Sequence, residues 1–153
     1  MHSPNKLGAR LRTVGLTAAA VVFASAGAAF ASVAIGGASY SGTYKGRPTE
    51  GISFKVSANG KKVTHLVVDT PFRCNGGCGG VASGGPGSAR ITRNGKFKVT
   101  LQLYFPPGSR SSEGTDTVTG RFLANGRAKG TVSSHFKHSS GGETVSWAAS
   151  PIS

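Results

Sequence analysis

A chain of 153 residues with 18 Lys and Arg against five Asp and Glu has room for one domain with one core, and it is strongly cationic at a formal +13. Its two cysteines, with no His or Cys pair at zinc spacing nearby, do not make a four-ligand metal centre. The five acids stand far apart in sequence and nominate no carboxylate pair, so neither composition nor spacing offers a catalytic constellation.

The first 31 residues read as an export signal. Lys6, Arg10 and Arg12 form a positive n-region, the run from Val14 to Ala29 is apolar and small, and "AFA" places Ala29 and Ala31 before a cut after Ala31. A retained membrane anchor is the alternative. Against it, the run is rich in Ala and Gly, is interrupted by Thr17 and Ser25, and is shorter than the roughly 20 apolar residues of a comfortable span. Arg10 and Arg12 are not adjacent, which argues against a twin-arginine route, and no cysteine near the cut invites a lipid. The expected organisation is a signal peptide over 1–31 and one secreted domain over 32–153, with no transmembrane segment in the mature form.

Removing Lys6, Arg10 and Arg12 leaves 15 basic residues and all five acids, a formal +10. Charge of this size keeps a surface soluble, and it also attracts polyanions such as wall polymers, anionic lipid or nucleic acid. The cations are scattered singly, without a run of five or six, so only the fold can gather them. Lys61, Lys62, Arg93, Arg121 and Arg127 are the candidate polyanion contacts, and nothing points to specific nucleic-acid recognition.

Along the rest of the chain apolar and polar residues alternate with the period of a strand. "SYSGTY" puts Tyr40, Gly42 and Tyr44 on one face, and "GISFKVS" puts Ile52, Phe54 and Val56 there. In "KFKVTLQLYF", Phe97, Val99, Leu101, Leu103 and Phe105 face in, while Lys98, Thr100, Gln102 and Tyr104 face out. "TVTGRF" gives Val118, Gly120 and Phe122; "ETVSWAA" gives Val145, Trp147 and Ala149. Between strands the units "ANGK", "RNGK" and "ANGR" recur at Ala58, Arg93 and Ala124, and Asn-Gly is a strong hairpin signal. A three-residue loop ending in a left-handed Gly126 pairs Phe122 with Ala128, Gly120 with Gly130 and Val118 with Val132; the same loop at Gly95 pairs Ile91 with Phe97. At Gly60 the same choice sends Leu66 and Val68 inward and keeps His65 out of the core, whereas a two-residue loop would bury Val63, His65 and Val67.

Three stretches read as linkers: the glycine-rich Asn75–Ser88, the polar Pro106–Thr115 and Lys137–Glu143. The expected fold is all-β, an antiparallel sandwich or barrel-like meander of about eight short strands.

The segments "YSGTYKGRPTEGISFKVSANGKKVTHLVV", "NGKFKV", "TGRFLANGRAKGTV" and the terminal "VSWAA" resemble a family of small secreted all-β proteins from actinobacteria, over essentially the whole chain after residue 31. The shared residues are turn and core positions, so the resemblance implies a fold and secretion and brings no activity. It also implies that Cys74 matches the family's cysteine after the second hairpin, whose usual partner stands near Ser140. This chain has "HSSGG" there, and the resemblance then leaves Cys78 as the partner.

The chemistry of "RCNGGCGG" agrees with a disulfide staple between Cys74 and Cys78. Two cysteines in an exported protein most often pair, and the three small residues between them allow the tight reversal. The gain is small, about 2 kcal/mol on the chain-entropy argument. A redox pair would want C-x-x-C at a helix start, and a metal would want more ligands. His135 and His138, with Lys137, suggest an alternative class, a small secreted ribonuclease-like hydrolase; their opposite strand parity favours two solvated histidines instead. Glu113 and Asp116 share a loop and read as solvated acids. Tyr40, Tyr44, Tyr104 and Trp147 could form a sugar platform; core packing is the plainer reading for all but Tyr104, whose outward parity makes it the candidate sugar contact. The expected function is a secreted, non-enzymatic module for anionic or carbohydrate polymers of the cell envelope, without cofactor or metal. A secreted inhibitor presenting the Asn75–Ser88 loop is the third class.

Overall fold

The computed structural model describes residues 33–73, 79–137 and 143–152. The export signal at 1–31, its cut before Ser32, and Cys74, Cys78 and His138 lie outside the described residues. Eight strands run β1 Ser39–Tyr44, β2 Arg47–Val56, β3 Lys62–Arg73, β4 Gly79–Arg90, β5 Lys96–Tyr104, β6 Ser112–Phe122, β7 Ala128–Phe136 and β8 Thr144–Ile152. Each pairs antiparallel with the next, and β8 returns to β1 with Gly42 opposite Ala149, so the meander closes as a barrel. Of the two architectures open to the sequence, the barrel is the one formed.

Alternation sorts the side chains as period two requires. Ile52, Phe54, Val56, Phe97, Leu101, Leu103, Val118, Phe122 and Val132 are buried inside. Phe54 is the hub: it stacks on Tyr40 at 4.9 Å and meets Phe97, Phe122 and Trp147 edge-on or nearly so at 5.8–6.1 Å between centroids. Among the described residues the buried apolar side chains all lie between Tyr40 and Ala149, so the barrel carries its own core, which is what a part that folds alone requires. The outer wall is rich in Lys, Thr and Ser, the inverse of a membrane-spanning barrel with its apolar outer band.

The last two Asn-Gly turns have the expected form. Leu123 and Arg127, like Thr92 and Lys96, close three-residue loops through hydrogen bonds of 2.8–3.0 Å, and Gly126 and Gly95 take φ of 75° and 68°. The ladder beyond the last turn pairs Phe122 with Ala128, Gly120 with Gly130 and Val118 with Val132.

The first turn differs. Ser57 donates its N–H to the Lys62 carbonyl, which encloses four residues, and Val56 faces Val63. A bulge at His65, whose φ is 51°, then shifts the register so that Val68 faces Ile52. Val63, Leu66 and Val68 are therefore all buried while His65 stays outside, an outcome neither uniform register allows. Because a left-handed conformation strains a non-glycine residue, His65→Gly is expected to raise stability slightly. Relief of ~1–2 kcal/mol is partly offset by the extra freedom of the unfolded glycine. A thermal melt should show a transition a few degrees higher, and a lower one would mean the imidazole makes a contact worth more than the strain.

Two linker assignments are corrected. Residues 79–88, expected in the glycine-rich linker Asn75–Ser88, belong to a twelve-residue strand, Gly79–Arg90, paired with β3 along its length. Its glycines serve close approach: a Cβ on Gly87 would run into Leu101, and one on Gly85 into the Leu66 carbonyl. Neighbouring side chains fill the space that β4 leaves empty. β6 likewise begins at Ser112, inside the expected Pro106–Thr115 loop, because Gly114 lies flat against the β7 backbone at Phe136.

Candidate functional site

The Asn-Gly turns follow β2, β4 and β6, so a meander must place all three at one end of the barrel. Every turn is flanked by cations, and the ladders bring these side by side on the outer wall. Lys62 faces Arg90 across β3–β4, Lys96 faces Arg121 across β5–β6, and Arg121 faces Lys129 across β6–β7. Arg90, Lys96, Lys98, Arg121 and Lys129 rim one shallow depression of about 830 Å³. Five adjacent strands, β3 to β7, thus carry Lys62, Arg90, Lys96, Arg121 and Lys129 exposed near their Asn-Gly ends, with Lys98 a second cation on β5.

Behind this belt the floor is neutral. Thr119 and Thr131 hydrogen-bond through their hydroxyls at 2.8 Å. Gly120 and Gly130 leave their side-chain space to the rings of Phe97 and Trp147, which back the depression from inside. A second depression of about 650 Å³ gathers Lys61, Lys62, Arg90 and Arg93 around Val33 and Ile91, so Arg90 joins the two.

Like charges placed directly across a ladder oppose folding by tenths of a kcal/mol to about 1 kcal/mol a pair. Nothing offsets them locally. Among the described residues the ion pairs are Arg47 with Glu50 at 3.8 Å and Arg47 with Glu143; Arg47 and Lys129 border a common depression, but neither carboxylate lines the belt. Glu50, Asp69, Glu113, Asp116 and Glu143 all belong to the opposite half of the barrel. Ten of the 15 basic residues after residue 31 sit in the Asn-Gly half, and that half holds none of the acids. The other half balances five cations with five anions, so the whole excess charge resides at one end.

Of the sequence-nominated contacts, Lys62 and Arg121 are in the belt, Lys61 and Arg93 border the second depression, and Arg127 is exposed in the last turn outside both. Arg90, Lys96, Lys98 and Lys129 were not nominated. Tyr104 ends β5 at the opposite end, half-buried, opposite Ser83 and Ser112. Tyr40, Tyr44 and Trp147 are inside the barrel and form no outer platform. His65 and His135 are both exposed, on β3 and β7, which stand four strands apart in a ring of eight; they cannot act on one substrate atom.

One acid was misplaced by sequence reasoning. Asp116 is not a solvated loop residue but a fully buried one on β6, in phase with Val118 and Phe122. Thr70 donates its hydroxyl to Oδ2 at 2.7 Å, and Oδ1 has no hydrogen-bond partner among the described residues. Burial raises its carboxyl pKa, with the Ser134 and Thr70 hydroxyls acting the other way. The nearby Tyr44 hydroxyl is also buried and raised by desolvation. Among the described residues no three His, Cys, Asp or Glu converge as a metal site, and no helix is long and apolar enough to cross a membrane. Comparison of the chain with protein-family models, curated proteins and solved structures yields no match.

Proposed function

We propose that this protein is an exported, non-enzymatic module that holds an anionic polymer of the cell envelope against its basic belt. The observation that carries the reading is the row of cross-strand cation pairs with no carboxylate among them. Adjacent strands lie roughly 4.8 Å apart, so an extended polyanion crossing them would meet a new cation at each strand. Binding anions there removes the repulsion that folding imposes, which makes the belt a better anion site than the same cations dispersed. The export part of the proposal rests on the n-region, apolar run and "AFA" of residues 1–31, and on the resemblance to secreted actinobacterial proteins.

Retention on an anionic wall fraction across a salt series tests this. Exposed contacts are screened over about 8 Å at physiological salt, so retention should fall steeply as salt rises. Lys62→Ala or Arg121→Ala alone should cost little, and combined removal much more. Tyr104→Ala should leave retention unchanged, because Tyr104 lies at the other end. Salt-insensitive retention lost in Tyr104→Ala would replace the belt with a neutral-sugar site.

A further inference from the structure

The Asn-Gly end is crossed by residues 33–38. Gly37 donates its N–H to the Val56 carbonyl at 3.1 Å, Ile35 to the Tyr40 hydroxyl at 3.4 Å, and Tyr40 in turn to the Gly126 carbonyl at 2.9 Å. The segment is thereby pinned to β2 on one side and to the β6–β7 turn on the other. Even so, Val33 and Ile35 stay 58% and 43% exposed, and Ile152, opposite Ser39 at the same end, is 55% exposed. Of the large apolar side chains exposed among the described residues, only Val81 is elsewhere. Lys61, Lys62 and Arg93 surround Val33, and Arg127 follows the Gly126 against which Ile35 rests.

We infer that this end is a docking tip for an anionic lipid bilayer, with Val33, Ile35 and Ile152 entering the headgroup boundary and the surrounding cations holding acidic headgroups. Three apolar side chains are too few for a stable protein interface, which buries at least about 1,200 Å². They suit shallow insertion, where a little apolar area and a cationic surround act together. Charge complementarity selects the occupant: this half of the barrel carries no acid, and each cation near an acidic membrane strengthens binding about fivefold. Chain path agrees. The apolar run ends at Ala29, and the link from Ala29 to Val33 spans at most about 14 Å, so while that run is in a membrane this end of the barrel is the one held near it. The inference goes beyond the polymer reading; it shares the charge separation and Lys62, and it adds the apolar side chains Val33, Ile35 and Ile152, which the belt does not use.

The test is co-sedimentation of the chain from Ser32 to Ser153 with vesicles of phosphatidylcholine, alone or mixed equally with phosphatidylglycerol, beside the wall-fraction assay. Binding is expected on the acidic vesicles and absent on the neutral ones. Val33→Ser with Ile35→Ser should weaken it about tenfold, with wall retention and the thermal transition unchanged. Ile152→Ser, on the other side of the tip, should weaken it in the same direction and guards against a local packing effect at Ile35. Equal binding to neutral vesicles, or acidic-vesicle binding indifferent to all three substitutions, would overturn the inference. Wall retention without any vesicle binding would overturn it while leaving the polymer reading intact; loss of both would remove the two together.

Discussion

Reversing Lys96, Arg121 and Lys129 to Glu together is expected to abolish retention on anionic polymer, by a hundredfold or more at low salt. Polyanion contacts are many and weak, and the variant replaces three attractions by three repulsions in the middle of the belt. A milder variant separates function from folding. Arg121→Glu alone turns two like-charge ladder pairs into two opposite-charge pairs, so it should bind less and yet be more stable, by about 1 kcal/mol. That gain corresponds to a transition a few degrees higher, and added salt should erase it. Loss of binding with loss of stability would show that the belt cations are structural. Gain of stability with unchanged binding would show that the polymer lies elsewhere.

Asp116→Asn is expected to stabilise the protein at neutral pH and to reverse a pH trend. Because burial raises the folded carboxyl pKa above its unfolded value of about 3.9, the folded state holds the proton more tightly. The contribution of Asp116 is therefore full below the unfolded value and is lost as pH rises through the folded one. This opposes ordinary acid denaturation. In its ionised form the carboxylate leaves Oδ1 buried without a partner among the described residues, whereas an amide could still accept from Thr70 and carries no charge to desolvate. The gain should be ~1–3 kcal/mol at pH 7 and near zero at pH 3. Melts of both proteins across that range decide it: an Asn variant weaker at pH 7 would mean that the charged form is well solvated within the barrel.

Much of this architecture is legible in alternation and turn chemistry. Ile52, Phe54 and Val56 share a face because strand side chains alternate, and the left-handed glycine at 126 sets the register of β6 on β7. The belt was nearly legible too: a register pairing Phe122 with Ala128 requires Arg121 opposite Lys129. What hid it was β4. A run of glycines suggests slack chain when read alone, and its order here comes from Leu66 and Leu101, residues of neighbouring strands that no local pattern connects to it. With β4 read as a linker up to Ser88, the arm before Gly95 is only a few residues long, and nothing places Arg90 beside Lys62. Asp116 was missed because an acid before "TVTGRF" looks like a loop end, and its inward phase is set by pairing to Leu101 and Ser134. The bulge at His65 likewise has only a faint sequence mark, since histidine enters the left-handed region more readily than most side chains and yet does so at few positions.

Closure by β8 on β1 also constrains when the molecule can exist as a barrel. A chain synthesised or threaded through a membrane from its N-terminus presents β1 first and β8 last, so Gly42 waits for Ala149 while nearly all the intervening chain emerges. Until then β1 has an unpaired edge, and Trp147, a ring partner of Phe54, is missing from the interior. Such long-range closure makes folding slow compared with local hairpin formation. Under the export proposed above that delay would be useful, because a translocation pore passes an open chain more easily than a finished barrel. Under the proposed export, topology postpones the native state until the last strand has crossed.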